Sequence, residues 1–344
     1  MAEILGIGCT HAPHLQFLDE TMADILRRHL ERETTPPEQK DMRNWPAAMR
    51  EEWGDDEGLA AAQKHRAVLV DGFRKARQAL DEFKPDFVLI WGDDQYENFH
   101  EDLVPPFAIY AMECFDTKPF KPSAVMRKPD NVWGQPFDMT VPMPGHPEAA
   151  TLLANKLVKS GFDVACSFGF HHAESANHAF VRTILYLDYD RRGFDYPVVP
   201  FHVNCYGPDL WSNARHKVPF QAPPSPPPWR CYDLGRSVAQ ILADSPYRVA
   251  VIGSSSWSHA FLTRKHAFLH PDVEADRQRY EEIQQGKLRL WRDLNPEEIR
   301  NSGQHEILNW VCLAGAMEGR KAEVLAYSET YIFNSSKAVV LFPV

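Results

Sequence analysis

Two imidazoles stand where the first apolar run of the chain stops: Ile4 to Cys9 is followed by Thr10-His11-Ala12-Pro13-His14. Two further runs end in similar cargo. Asp86 to Trp91 empties into Gly92-Asp93-Asp94-Gln95, and Arg248 to Gly253 into a serine-rich turn that closes on His259. His178, just ahead of the apolar segment Phe180 to Leu187, and Glu306, four residues before Trp310, complete the set. These residues are the inventory of a metal centre of two or three protein ligands with an acid–base histidine beside it. Two neutral donors and one carboxylate on one face of an iron leave positions open for substrate and oxygen, as non-heme Fe(II) oxygenases require. Singly they say less: a lone strand-end histidine is more often a satisfied polar group, and a lone helical glutamate a solvated one.

Such residues must be brought together by strands, because in an open α/β sheet ligands sit beyond the strands' carboxyl ends. The continuous apolar runs at Ile4, Asp86, Val198 to Asn204 and Arg248 read as strands buried on both faces of a parallel sheet. Further strands are expected at Phe107 to Cys114 and Asp163 to Phe168. Helical spacing is expected over Asp19 to Glu33, Asp56 to Phe83, Pro147 to Ser160, Cys231 to Ala243, Pro271 to Gln285 and Gln304 to Met317. Val324 to Phe333 and Lys337 to Phe342, turning at Asn334-Ser335, read as a closing hairpin. Thr117 to Pro147 holds seven prolines and little periodicity, and a loop of that length in a compact domain is more often functional than idle. Strands and helices alternate without a break in composition. The expectation is one α/β domain over residues 1–344, with a central, mostly parallel sheet flanked by helices, a helical insertion at about 19–83 after the first strand, a proline-rich surface loop at 219–228 and a C-terminal β-hairpin.

The 344 residues carry 37 Lys and Arg against 47 Asp and Glu, a net charge of -10 that gives no footprint for nucleic acid and argues against a membrane surface. Met1 leads into a strand rather than a signal segment, and no apolar run approaches the ~20 residues of a spanning helix. The six cysteines are scattered with no CxxC pair, as in a reducing compartment, so a cytoplasmic protein is expected. Two rival motifs fail on single letters. Gly6-Ile7-Gly8 lacks the third glycine of a dinucleotide fingerprint, since His11 stands there, and the serines before His259 lack the flanking glycines of a nucleophile elbow.

Taken in order, Gly6 to His11, Asp94 to Phe99, Pro106-Phe107-Ala108-Ile109, Gly145-His146-Pro147, His178, Pro200-Phe201-His202-Val203-Asn204, Gly253 to His259 and Glu306 to Trp310 resemble the class III extradiol ring-cleavage dioxygenases along nearly the whole chain. In that group a strand-end histidine precedes the apolar run that follows His178 here. The resemblance implies an Fe(II) cofactor, with Mn possible, and cleavage of a catechol- or gallate-type ring with O2 by a homo-oligomer, most simply a homodimer. It implies His11 and Glu306 as metal ligands, His259 as acid–base histidine and His178 as a second catalytic histidine touching substrate or oxygen. At one position the pattern breaks. The family's second ligand histidine follows Asn-Asp or Pro-Asp, whereas this chain reads Asp93-Asp94-Gln95. An amide oxygen is a harder and weaker donor to Fe(II) than an imidazole nitrogen. Three outcomes stay open: Gln95 ligates through its oxygen, Asp94 or His14 takes the place, or the site has lost iron. The last would make the chain a metal-dependent hydrolase or decarboxylase of a phenolic acid, or a binding protein.

Overall fold

The computed structural model describes residues 3–122, 130–210 and 222–344. Along the chain the strands are β1 (Ile4–Cys9), β2 (Phe87–Gly92), β3 (Phe107–Tyr110), β4 (Cys114–Thr117), β5 (Val141–Pro144), β6 (Ala165–Ser167), β7 (Val198–Val203), β8 (Val249–Ser254), β9 (Glu323–Ser328) and β10 (Lys337–Phe342). The helices are α1 (Asp24–Glu31), α2 (Pro37–Lys40), α3 (Ala47–Trp53), α4 (Leu59–Phe83), α5 (Pro147–Lys159), α6 (His178–Leu187), α7 (Pro228–Ala243), α8 (Val273–Gln284), α9 (Pro296–Ser302) and α10 (Ile307–Ala316).

The main sheet runs β6-β3-β7-β2-β8-β1-β10-β9. Its middle, β7-β2-β8-β1, is parallel throughout, and these four strands are buried at every residue. That is why their sequences are apolar without alternation. The parallel run ends where β3 pairs antiparallel to β7 and β10 antiparallel to β1. This is an α/β fold with a mostly parallel central sheet, helices on both faces and a paired C-terminal β9–β10. One face is covered by α5, α7 and α10, the other by α4 and α6.

Several local expectations change. The strand expected over Phe107 to Cys114 is two strands in different sheets, because β4 leaves to pair with β5. β5 lies inside the proline-rich stretch, where Pro142 and Pro144 fall on a two-stranded edge that tolerates their missing N–H groups. His178 is not at a strand end: it opens α6, whose near-complete burial (Ala179 to Val181 and Thr183 to Leu187) erases a helix's polar face from the sequence. The β9 strand stops at Ser328, and residues 329–336 form the connection to β10. Of the stretch at 19–83, α4 is part of the sheet's own cover, while α1 through Leu26 and α3 through Met49 and Trp53 join Trp45 in a small separate cluster. The proline-rich loop begins outside the described residues. Its described part, 222–227, has no regular structure, and Pro227 and Pro228 lead straight into α7.

Two glycines bring α10 down onto the sheet. A Cβ on Gly8 of β1 would lie 2.3 Å from the Trp310 indole, and one on Gly253 of β8 would lie 2.9 Å from Leu313. This close approach sets the first residues of α10, and Glu306 just before it, over the carboxyl ends of the central strands. Among the described residues no helix is long and apolar enough to cross a membrane.

Candidate metal centre

His11 follows β1, Asp93 follows β2, Tyr206 follows β7 and His259 follows β8, so four neighbouring parallel strands deliver side chains to one end of the sheet. Glu306 arrives from the start of α10 and His178 from the start of α6. The Nε2 of His11 lies 3.3 Å from Glu306 Oε2 and 3.6 Å from Asp93 Oδ1. His178 Nε2 is 3.7 Å from Asp93 Oδ2, and His259 Nε2 is 3.5 Å from Glu306 Oε1. Donor atoms of His11, Asp93 and His178 lie within 4.8 Å of one another. His11, Asp93, Glu306 and His259 are all at most 5 % exposed.

Hydrogen bonds on the far side of each ring fix its tautomer. Thr183 donates its hydroxyl proton to the Ala179 carbonyl, so the Ser254 hydroxyl beside it donates to Thr183, and His11 Nδ1–H is left to donate to Ser254 Oγ at 3.0 Å. His259 Nδ1–H donates to the Trp257 carbonyl at 3.1 Å. His178 Nδ1–H meets the Glu97 carboxylate at 2.5 Å. Each ring therefore turns its Nε2 toward carboxylate oxygens.

The carboxylates are set as firmly. Asn309 Nδ2 donates to Asp93 Oδ1 at 3.1 Å and to the Ser254 carbonyl at 3.0 Å. The Tyr206 hydroxyl donates to Glu306 Oε1, and because that spends its proton, Gln95 approaches it with its amide N–H, at 2.8 Å. His11 Nε2, Asp93 Oδ2 and Glu306 Oε2 are left as buried polar atoms without a hydrogen-bond partner. Burial and the neighbouring Glu306 push the Asp93 carboxyl well above the usual carboxylate range. Burial acts to raise Glu306 too, but the imidazoles of His259 and His11 and the Tyr206 hydroxyl outweigh it and hold it below its ordinary value. Burial keeps His259 below an ordinary histidine. Imidazole Nε2 atoms and two carboxylates turned toward one another in a dry space, three of their atoms without a hydrogen-bond partner, are a donor set that fits a divalent metal ion.

The residues singled out from the sequence divide accordingly. His11, His178, His259 and Glu306 converge. Gln95 reaches the group through Tyr206. Asp94 does not face the centre: its carboxylate accepts backbone N–H groups of Glu97, Asn98 and Phe99 at 2.6 to 3.3 Å and builds the turn after β2. In that turn Tyr96 sits at φ +61°, a left-handed backbone conformation uncommon for a bulky residue. His14 packs its ring toward Phe17 and Phe333, and neither ring nitrogen has a hydrogen-bond partner. Burial lowers its pKa well below the usual value. His171 and His172 also stay outside, the latter pairing with Asp102 at 3.0 Å and stacking on His100. Sequence reasoning missed Tyr206, Glu97, Asn309 and the separate place of Asp93. Of these only Tyr206 and Asp93 carried a signal, their position just past a parallel strand.

A profile of the family described as the catalytic LigB subunit of aromatic ring-opening dioxygenase matches residues 57–340, a range holding Asp93, Gln95, His178, His259 and Glu306. A 2,3-dihydroxyphenylpropionate/2,3-dihydroxicinnamic acid 1,2-dioxygenase of Comamonas testosteroni is 27% identical over 204 residues, 59% of this chain and 52% of that protein. One from Pseudomonas putida is 28% identical over 187 residues, 54% of this chain and 47% of that protein. The chain thus spans about half the length of the curated relatives it matches. The crystal structure of an uncharacterized protein from Escherichia coli K12 aligns with a TM-score of 0.47 at 14% identity, over 79% of this chain and 91% of that one. With a family match over most of its length, the chain belongs to the family of catalytic LigB subunits of aromatic ring-opening dioxygenases.

Proposed function

We propose that the protein is an extradiol dioxygenase that opens the ring of a catechol- or gallate-type aromatic with O2, using a divalent metal, Fe(II) with Mn(II) as the alternative. The observation that carries this reading is the convergence of unpartnered His11 Nε2, Asp93 Oδ2 and Glu306 Oε2 beside His259, whose Nε2 lies 3.5 Å from Glu306 Oε1. His11 and Glu306 would hold the metal. When bound, it supplies Lewis acidity toward a diol and a redox centre for O2.

The chain's own part is proton handling and orientation. His259, neutral because burial lowers its pKa, presents a lone pair at Nε2 and can accept a hydroxyl proton from the diol. The imidazolium so formed faces Glu306 at 3.5 Å, which stabilises it until the proton is returned to product. Overall the ring carbon–carbon bond next to the diol breaks, and both atoms of O2 enter a ring-opened semialdehyde acid. The relatives named for 2,3-dihydroxyphenylpropionate make catechols with a carboxylate side chain first choices in a substrate panel. The reading also takes the enzyme to be a cytoplasmic homodimer, in keeping with six unpaired cysteines.

The test is anaerobic loading with Fe(II), followed by oxygen uptake with catechol, gallate and 2,3-dihydroxyphenylpropionate and product analysis with isotopically labelled O2. Uptake with both labelled atoms retained is expected. Retained metal with hydrolysis or decarboxylation of a phenolic acid and no uptake would move the chain to the non-oxidative alternative. Neither metal nor turnover would leave a binding protein.

A further inference from the structure

In the resemblance Gln95 stands at the position of a ligand histidine, yet here its amide N–H is committed to Tyr206 at 2.8 Å. A different imidazole is aimed at the centre. His178 opens α6, and its backbone N–H and Nδ1–H both point to the Glu97 carboxylate, at 3.3 and 2.5 Å. Glu97 is brought there by the turn that Asp94 builds, two residues beyond Gln95. A carboxylate behind Nδ1 is how proteins orient a metal-binding imidazole, fixing its tautomer and raising its basicity. The rings of His178 and His11 meet edge to face with centroids 5.0 Å apart. The Nε2 atoms of His11 and His178 stand 3.6 and 3.7 Å from the two oxygens of Asp93, within the span of about 4.2 Å that a cation with bonds of about 2.1 Å can bridge.

We propose that His178, oriented by Glu97, supplies the second imidazole to the metal in place of Gln95, with Asp93 as an added carboxylate, while Gln95 serves Tyr206. The inference rests on the reading of this cluster as a metal centre. It gives the turn after β2 a divided task. Gln95 supports the Tyr206 hydroxyl that binds Glu306, and Glu97 aims the replacement ligand.

The test loads the metal-free protein with Cu(II) and counts coupled imidazoles by pulsed electron paramagnetic resonance, with Fe(II) affinity measured in parallel by anaerobic calorimetry. The native chain is expected to show two imidazoles, His178→Gln one, and Gln95→Ala still two. Glu97→Gln, which keeps the shape and removes the charge, should weaken Fe(II) binding by about 10- to 100-fold. Far-ultraviolet circular dichroism of each metal-free variant confirms folding, and Glu97→Gln carries the test if His178→Gln does not fold. Two imidazoles surviving in His178→Gln, one in the native chain, or unchanged affinity in Glu97→Gln would overturn the assignment while leaving a metal centre in place. A native chain that binds neither metal would overturn this inference together with the proposed function.

Discussion

Replacing Tyr206 with Phe removes one oxygen atom from between Gln95 and Glu306 and nothing else of comparable size. In the native chain that hydroxyl occupies Glu306 Oε1, which leaves Oε2 as the atom facing His11 at 3.3 Å. Without it the carboxylate keeps only His259 near Oε1, at 3.5 Å, and is free to rotate or take up a proton before a metal arrives. A hydrogen bond to a buried charged group is worth about 1.5–3 kcal/mol. If the metal must restore that orientation, affinity falls by about 10- to 100-fold, at roughly 1.4 kcal/mol per tenfold. Competition against a chelator of known affinity, with Fe(II) under argon, reads this directly. Gln95→Ala removes only a neutral bond one step further out, so its loss should stay under about tenfold. Equal or tighter binding by Tyr206→Phe would refute the idea that the hydroxyl presets Glu306.

Three further outcomes can be checked independently. His259→Phe should retain metal but lower turnover by about 100-fold or more, read by oxygen uptake at saturating substrate. Metal should bind more tightly as pH rises, because burial and Glu306 hold the Asp93 carboxyl above its ordinary range and a cation takes its ionised form; calorimetry across a pH series measures it, and a flat profile would count against it. Burial pushes the Asp276 carboxyl from 3.8 to about 8. Between those values the folded chain holds a proton that the unfolded chain has lost, so stability should fall as pH rises from about 4 to about 8. Asp276 Oδ1 accepts from the Ser258 N–H and the Gln304 amide, and both bonds survive in Asp276→Asn. That variant should therefore melt higher than the native chain at pH about 9 and show a flatter profile, and parallel profiles would count against the shift.

The central strands could be read from the sequence because β1, β2, β7 and β8 are buried on both faces, which leaves apolar runs broken only by His202 in β7 and Ser254 at the end of β8. His11 and His259 were legible for a related reason, since the end of a parallel strand is where such a fold places its chemistry. Helix α6 was not, because burial all round removes the amphipathic stripe. The β4–β5 pair was hidden by its prolines. Within Asp93-Asp94-Gln95 the sequence offers three adjacent polar groups with no sign of direction. Which one faces the centre is decided by the turn, where Asp94 spends its oxygens on backbone N–H groups. The Tyr206 hydroxyl and the Glu97 carboxylate act through other side chains, and contacts of that kind leave no spacing pattern behind.

The position of β1 between β8 and β10 has a consequence for the order in which the molecule can be made. After leaving the ribosome, β1 has no sheet partner until residues 249–254 follow it, and its other edge stays open until 337–342 emerge. Pairings so distant along the chain are slow to form. The stretch carrying His11 therefore waits, unpaired and apolar, while the rest of the sheet is translated. The candidate metal centre is a late arrival too, since His259 follows β8 and Glu306 comes later still.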